Sequence, residues 1–430
     1  MKTKIILILI ALLAAAHLAL VFPALSHPER FRVTDSDEYV ELATNLLKSG
    51  QYTATIHGGV DLTRPPVYPL FLALITVIFS DVRWASLLQI LLTFVNCLLL
   101  YRLGLDLKSR PVGYAAVLIY LLSLNAAFEA LNIMSETLTS FWLLLALWAV
   151  LSFWVTEKKR WLLLSGTALG LGALTRPILY PLFFMWIVFL AAAWSWRRKR
   201  PVFNRELVSR LAVFAAGGLL ITLLWQVRNA AVNHDFSISD IGSSTFRNWI
   251  VANSVANVEH ISRNEAVTLI ASAPNPNAFV IEFIRGHPGV FVKDQVRGII
   301  LTVLSVDYPT WAYALTGNLP ASTGVVANLS FNVSKLFEQI RSGNSWILAG
   351  MAAVGYDLVL YGLGIFASWR ILARQRGKTI FVLTLLLLVT LAYMFVVPLA
   401  QGSGRFRIPI EPCLALLAGL AFYSPAAVNA

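Results

Sequence analysis

Charged side chains collect at the ends of long apolar runs in this sequence. A charged group is costly at membrane depth, so its position carries information about function. An anionic lipid headgroup would lie at the same boundary as these side chains. Carboxylate and guanidinium groups placed there could exchange protons beside the headgroup or bind its phosphate. The residues concerned are Asp35, Asp37, Glu38, Arg64, Glu129, Glu136, Arg176, Arg228, Arg405 and Arg407.

Several of these residues also have a purely structural interpretation. Asp35 and Asp37 precede a helical pattern and resemble an N-cap with favourable charge at the start of a helix. Glu136 could simply reach out to water, and Arg176 could be an interfacial anchor. Arg405 and its neighbour Arg407 oppose the tendency of basic residues to stay inside, which favours a functional role for them.

Membrane helices are the elements that must position these residues. Hydrophobic residues make up 58% of the 430 positions and charged residues only 13%. Apolar runs of about 20 residues recur, which is the length that spans a bilayer as a helix. The alternating ten-residue segments of a membrane β-barrel are not seen in the sequence. The composition therefore predicts an all-α polytopic membrane protein and excludes an ordinary soluble domain.

The net charge of +12 does not indicate a nucleic-acid partner, because the basic residues form short clusters between apolar runs. With the cluster Lys2–Lys4 inside, the later clusters also lie inside, and both termini are cytoplasmic. The outer segments are then residues 25–83, 129–133, the junction at Arg176, 228–345 and 399–408. About ten spans are predicted, at residues 5–24, 84–105, 111–128, 134–155, 161–175, 177–195, 208–227, 346–369, 379–398 and 409–424.

One membrane-embedded domain is expected to cover residues 1–430, with an uncleaved first span rather than a signal peptide. In the first outer loop, residues 36–49 have helical periodicity and Gly50 would end the helix. Residues 67–79 are apolar but short, which predicts a helix that lies in the interface or one that dips in and out of the membrane. The long outer segment, 228–345, is expected to contain an amphipathic helix from Pro288 to about Leu304. We expect it to cap the bundle and not to form a separate soluble domain with its own core.

The sequence supports no particular cofactor. The six histidines are dispersed, and none has ligand spacing to another. The two cysteines, Cys97 and Cys413, fall inside apolar runs and provide neither a disulfide framework nor a metal signature.

The ordered motifs resemble those of the membrane glycosyltransferases of the GT-C class. The resemblance is to the bacterial branch related to protein O-mannosyltransferases and aminoarabinose transferases, also described as RgtA/B/C/D-like. It covers nearly the whole chain, although each motif alone is weak. The motifs are Asp35-Ser36-x-x-Tyr39 with Asn45-Leu46-Leu47, Gly50-x-Tyr52, Arg64-Pro65-Pro66-x-Tyr68-Pro69, Ser135-Glu136-Thr137, Leu174-Thr175-Arg176-Pro177, Arg228-Asn229 and Arg405-Phe406-Arg407-x-Pro409.

The resemblance implies transfer of a sugar from a polyprenyl phosphate to a lipid, glycan or protein acceptor outside the cytoplasm, with inversion. Asp35 matches the family's catalytic acidic residue, and Asp37 and Glu38 are close enough to compete for that role. Tyr39 could orient the carboxylate, one helical turn away. The resemblance also implies substrate-binding roles for Glu136, Arg405, Arg407, Arg176 and Arg64, the arginines through the donor phosphate.

The partners implied are a polyprenyl-phosphate-linked sugar, an acceptor and membrane lipids, and a divalent metal is possible. A bacterial inner or plasma membrane is the expected location. The first-loop motif reads Asp35-Ser36, where the protein mannosyltransferases have Asp-Glu, so a protein acceptor is not implied. The alternative is a transporter or flippase of lipid-linked sugars, although such proteins tend to show repeated halves that are not visible here.

Overall fold

The computed structural model describes residues 2–55, 59–199, 204–318, 341, 346–374, 377–398 and 401–424. Within these ranges the regular structure is almost wholly helical. The described sheet is one antiparallel pair of two-residue strands, β1 (Thr53–Ala54) and β2 (Gly59–Val60). The predicted all-α fold class is therefore confirmed.

The helices up to residue 233 include all the predicted spans of the first half. In chain order they are α1 (Lys2–Ser26), α2 (Thr34–Ser49), α3 (Val67–Phe79), α4 (Ala85–Asp106), α5 (Arg110–Leu121), α6 (Leu124–Glu129), α7 (Glu136–Thr156), α8 (Lys159–Ala173), α9 (Leu179–Arg198) and α10 (Arg205–Asn233). Short 3-10 helices, Pro28–Phe31 and Val82–Trp84, precede α2 and α4.

The second half begins with the helices of the long outer segment and returns to the membrane bundle at α17. The order is α11 (Ile241–Thr245), a π-helix (Phe246–Val251), α12 (Ala252–Glu259), α13 (Arg263–Ser272), α14 (Pro276–Gly286), α15 (Pro288–Leu304), α16 (Tyr308–Thr316), α17 (Trp346–Arg374), α18 (Lys378–Val396), a 3-10 helix (Gly404–Ile410) and α19 (Glu411–Gly419).

A helix lies at each predicted span, and seven of the described helices are long and apolar enough to cross a membrane. At the other three predicted spans the helices are shorter: α5, α8 and α19 have 12, 15 and 9 residues. A single helix needs about 20 residues to cross the hydrocarbon. The chain is an integral membrane protein with several spanning helices, and the number of about ten spans remains a prediction.

The first outer loop contains the two helices that the sequence predicts. Helix α2 ends at Gly50, which has a φ of 69°, a conformation that glycine adopts without steric cost. Its apolar side buries Tyr39 and Leu42. Helix α3 packs Tyr68 against Tyr39, with ring centroids 4.8 Å apart. It has only 13 residues, and it keeps Val77 64% exposed. This pattern fits a helix that lies in the membrane interface.

The outer segment contains one feature that the sequence did not predict. Helix α15 has the predicted bounds, and α12 to α14 and the π-helix before them share a small apolar cluster, because short amphipathic helices here pack their apolar sides together. That the segment caps the bundle and forms no separate soluble domain stays a prediction. Residues 319–340 and 342–345 of the predicted 228–345 segment lie outside the described residues. The cluster contains Val251, Ala252, Val255, Ala266, Ile270, Val280 and Phe283.

Helices α8 and α10 approach each other through glycines. An added Cβ at Gly166 would lie 2.0 Å from the carbonyl oxygen of Phe214, and one at Gly217 would lie 2.5 Å from that of Leu163. Gly166 and Gly170 form a Gly-x-x-x-Gly pair on α8, and Gly218 faces Gly170 from α10. Small residues at such contacts allow the backbones of membrane helices to pack closely.

Gly166→Ala is expected to destabilise the protein by about 1–3 kcal/mol, because the new methyl group forces α8 and α10 apart. The measurement is thermal unfolding in detergent, followed by tryptophan fluorescence. Gly362→Ala in α17 is the matched control, because no described atom lies within 4 Å of its added Cβ. Equal midpoints for the two variants would contradict the close contact.

Candidate active site

Five segments that are far apart in sequence meet at one end of the helix bundle. They are the start of α2, the loop after β2, the start of α7, the turn before α9 and the 3-10 helix before α19. Each contributes one or more charged side chains to a common cluster. We call Asp35, Arg64, Glu136, Arg176 and Arg405 the charged cluster.

Arg405 lies at the centre of the charged cluster. Its Nη2 donates to Oδ2 of Asp35 at 2.7 Å, and its Nε donates to Oε1 of Glu136 at 2.5 Å. The same Nε lies 3.9 Å from Oε1 of Glu129. One guanidinium group therefore faces three carboxylates that come from α2, α6 and α7.

Arg64 holds the other side of Asp35. Its Nη2 donates to Oδ1 of Asp35 at 2.9 Å, and its Nε donates to Glu38 at 2.9 Å. The guanidinium lies 4.9 Å above the ring of Tyr39, a cation–π distance. Tyr52 fixes the loop by donating to the backbone oxygen of Arg64 at 2.8 Å. Both carboxylate oxygens of Asp35 are thus held by arginines.

Glu136 is fully buried at the first turn of α7. It accepts from Arg405 and is also in contact with Arg176. The helix dipole further favours a negative charge at this position. Ser140, one turn along, donates to the backbone oxygen of Ile408 at 3.0 Å and so ties α7 to the 3-10 helix. The side chain of Glu136 therefore does not reach out to water, and it balances two arginines inside the protein.

Arg176 enters the cluster from the turn between α8 and α9. Its backbone N–H donates to the carbonyl of Gly172 at 2.8 Å, and the neighbouring Leu174 carbonyl accepts from Val67 at 3.0 Å. The second bond joins the turn to the start of α3. The side chain is 16% exposed. Arg176 is therefore held within the site, in contrast to a freely exposed interfacial anchor.

The protonation behaviour of the acidic residues differs between Asp35 and Glu129. Burial alone would raise the pKa of Asp35, but the charges of Arg64 and Arg405 outweigh it, so the pKa lies below its ordinary value. Burial and the charge of Glu136 raise the pKa of Glu129 to about 7, against the opposing effect of Arg405. Asp35 is therefore ionised at neutral pH, whereas Glu129 exchanges its proton near neutrality.

A cavity of about 190 Å³ opens beside Arg405. Its walls carry carboxylate, amide and hydroxyl groups from α6, the loop after it, the start of α16 and the 3-10 helix. The lining residues are Val33, Asn125, Glu129, Asn132, Asp307, Thr310, Trp311, Ser403, Gly404, Arg405 and Ile408. The sequence analysis places Glu129 among the charged residues at the membrane boundary but assigns it no substrate-binding role.

The structure brings most of the predicted site residues together and leaves two outside. Asp37 is 70% exposed and lies 3.8 Å from Arg32. Glu38 joins the cluster through Arg64. Tyr39 faces Ser135, with 3.4 Å between the hydroxyl oxygens, so its link to Asp35 runs through Arg64.

Arg407 also lies outside the charged cluster. It is fully buried and bonded to Asp357 and Glu411. Its Nη1 also donates to the carbonyls of Val303 at 2.7 Å and Ser305 at 3.1 Å, at the end of α15. These contacts hold the Arg407 guanidinium away from the carboxylates of the charged cluster. Sequence reasoning missed Glu411, although its spacing of four residues from Arg407 could have indicated an ion pair.

Metal-ligating groups do not gather in the part of the chain that the structure describes. No set of three or more His, Cys, Asp or Glu side chains is placed there to hold a metal ion. The carboxylates of the cluster are instead directed at arginines.

Three solved structures align with most of this chain at low sequence identity. The oligosaccharyltransferase of Archaeoglobus fulgidus, tethered with an acceptor peptide, aligns with a TM-score of 0.49 and 14% identity, over 94% of this chain and 49% of that chain. The same organism's AglB, with an inhibitory peptide and a dolichol-phosphate, gives 0.48 and 15%, over 94% and 50%. The chain spans about half the length of these archaeal enzymes.

ArnT from Cupriavidus metallidurans, bound to undecaprenyl phosphate, aligns with a TM-score of 0.43 and 15% identity, over 97% of this chain and 78% of that chain. No curated protein sequence matches this chain significantly. A family signal is present in the sequence between the first outer loop and α10. Residues 63–225 match the family described as "Dolichyl-phosphate-mannose-protein mannosyltransferase", which confirms the resemblance that the motifs predict.

Proposed function

We propose that this protein is a glycosyltransferase that moves a sugar from a polyprenyl-phosphate donor to an acceptor on the non-cytoplasmic face, with inversion. The observation that supports this most is the position of Arg405, which faces Asp35 and Glu136 at one end of the bundle. A further support is the match of residues 63–225 to a family named for a dolichyl-phosphate sugar donor.

The length of α7 supports an active site at the outer surface. Glu136 begins this helix of 21 residues, which is about 30 Å long and so matches the thickness of the hydrocarbon core. The basic cluster Lys158–Arg160 follows the other end of the helix. Because basic clusters favour the cytoplasmic side, the charged cluster would lie at the non-cytoplasmic surface. The membrane is proposed to be a bacterial inner or plasma membrane.

Arg405 is the proposed ligand of the donor phosphate. Its planar guanidinium can offer two parallel N–H groups to a phosphate, which suits this residue type to phosphate binding. Its side chain is 27% exposed, so part of it remains accessible. Arg176 and Arg64 supply further positive charge next to it. This arrangement would stabilise the charge that develops on the phosphate as it leaves.

Asp35 is the proposed base for a single displacement. The acceptor's hydroxyl oxygen forms a bond to the anomeric carbon while the bond from that carbon to the phosphate oxygen breaks. Asp35 takes the hydroxyl proton, and the electron pair stays with the departing polyprenyl phosphate beside Arg405. Inversion follows because the nucleophile and the leaving group lie on opposite faces of the sugar.

Binding of the donor would also change the basicity of Asp35, because Asp35 shares Arg405 with the phosphate. A phosphate that binds Arg405 must compete with Asp35 for the guanidinium. Weakening this pair raises the pKa of Asp35, because Arg405 is one of the charges that lower it. Donor binding would therefore make Asp35 a stronger base at the moment when a base is needed.

The acceptor is proposed to be a lipid or a growing glycan. The outer segment contains only short helices among its described residues, and the Asp35-Ser36 motif does not imply a protein acceptor.

Asp35→Asn is expected to reduce sugar transfer at least about 100-fold, because the amide cannot take the proton. Binding of undecaprenyl phosphate should remain, since the arginines are still present. The assay is transfer of labelled sugar from undecaprenyl-phosphate glycosides by protein in nanodiscs, with lipid extract from a deletion strain as acceptor.

Asp37→Asn is the matched control for this change, because Asp37 is 70% exposed, and its transfer rate should equal that of the unaltered protein. Full transfer by Asp35→Asn would assign the base to another residue. Movement of lipid-linked sugar across vesicles without any transfer product would instead support the flippase alternative.

Arg405→Ala is expected to weaken donor binding by about 2–5 kcal/mol, because the phosphate loses its ion pair in a partly buried site. Arg405→Lys should recover part of this loss through its charge. Binding of undecaprenyl phosphate is measured by thermophoresis in detergent, and the unfolding midpoint is measured in parallel. Arg83→Ala is the control, because Arg83 is 45% exposed and pairs with Asp81. Unchanged donor affinity in Arg405→Ala would remove Arg405 from the site.

A further inference from the structure

The cavity beside Arg405 is built from groups that hydrogen-bond. Glu129, Asn125 and Asn132 line one side, and Asp307 and Thr310 line another. Asn125 and Asn132 are each only 7% exposed. Polar groups this well buried usually have partners, because an unpaired one is costly. The composition of the walls therefore favours a small polar ligand with several hydroxyl groups over a lipid chain.

Glu129 is a charged side chain of this wall with room for a further partner. Its Oε2 accepts from Nδ2 of Asn132 at 3.1 Å. Its Oε1 lies 3.9 Å from Nε of Arg405, which is longer than a hydrogen bond. Among the described residues, Oε1 is thus engaged only at long range, and an added hydroxyl group could donate to it.

We infer that this cavity binds the hydroxyl groups of a sugar ring, with Glu129 as the acceptor of a hydrogen bond from one of them. The inference rests on the proposed function and adds the place where carbohydrate is recognised. The sugar could belong to the donor or to a glycan acceptor. Both kinds of sugar present ring hydroxyl groups that can donate a hydrogen bond. The cavity adjoins Arg405, where either ring would be held during transfer.

The size of the cavity agrees with this inference. About 190 Å³ is smaller than the roughly 300–1,000 Å³ of pockets for drug-sized ligands. It is large enough for several water molecules, which occupy about 30 Å³ each in the liquid. A single hydroxylated ring can displace such waters and replace their hydrogen bonds, whereas a polyprenyl chain would leave the polar groups of the walls without partners.

Recognition by Glu129 should depend on pH. The groups that face it are Glu136 on α7, Asp307 before α16, Arg405 on the 3-10 helix and Asn132 in the adjoining loop. Its pKa is raised to about 7, so Glu129 is mostly protonated at pH 6 and mostly ionised at pH 8. The ionised carboxylate is the stronger acceptor. Sugar binding should therefore strengthen as the pH rises through 7.

The test compares the methyl ester of undecaprenyl phosphate, a phosphodiester without a sugar, with undecaprenyl phosphate that carries mannose, glucose, galactose or arabinose. Affinities are measured for the full-length protein in nanodiscs at pH 6, 7 and 8. The quantity of interest is the ratio between the affinities of the tightest glycoside and the methyl ester at each pH. Both are phosphodiesters with the same charge over this range, so effects on phosphate binding cancel. The KM for the lipid-extract acceptor is measured over the same range.

Glu129→Gln is expected to reduce the affinity ratio, or to raise the acceptor KM, about tenfold or more, and to abolish the pH dependence between 6 and 8. A change in the ratio assigns the cavity to the donor sugar, and a change in the acceptor KM assigns it to the acceptor. Glu29→Gln is the matched control, because Glu29 is 65% exposed.

Two outcomes would overturn the inference. One is a Glu129→Gln variant with unaltered ratio and KM, and the other is a Thr310→Ala variant with unaltered ratio and KM, because Thr310 lines the same cavity. The second variant tests the cavity even if Glu129→Gln does not fold. Failure of undecaprenyl phosphate itself to bind would instead count against the proposed function.

Discussion

The pairing of one arginine with carboxylates from three helices is the interaction on which the site depends. Arg405 faces Asp35, Glu129 and Glu136, and the net charge of these four groups would be −2 with every acid ionised. Arg64 and Arg176 add two positive charges next to these groups. Removing one partner from such a group leaves a poorly compensated charge, which is strongly destabilising in a buried setting. The arrangement therefore fixes the relative positions of α2, α6, α7 and the 3-10 helix.

A second buried ion cluster stabilises the short helix that carries Arg405. Arg407 joins Asp357 of α17, Glu411 of α19 and the last carbonyls of α15. It lies two residues from Arg405 on the same short helix, so it limits how far that helix can rotate or slide. The bundle thus holds Arg405 both through its own ion pairs and through the anchoring of its backbone.

Much of the fold was predictable from the sequence, because long apolar runs indicate membrane helices and Gly50 indicates the end of α2. The site was predictable only in part. Successive residues of an α-helix turn by about 100°, so Asp35 and Asp37 project on opposite sides and only one can enter the cluster. A 3-10 helix turns by about 120° per residue, which separates Arg405 from Arg407 in the same way. The cavity around Glu129 depends on α16 and on the 3-10 helix, and no local pattern reveals such long-range contacts.

The small apolar cluster of α12 to α14 has a consequence for how relatives of this protein could diverge. These helices are stabilised largely by one another, since Val255, Ile270 and Phe283 belong to a core separate from that of the bundle. Changes in their sequence or length can therefore be absorbed locally, without moving the charges that surround Arg405. The surface of α12 to α14 is thus less constrained than the segments that carry the charged cluster.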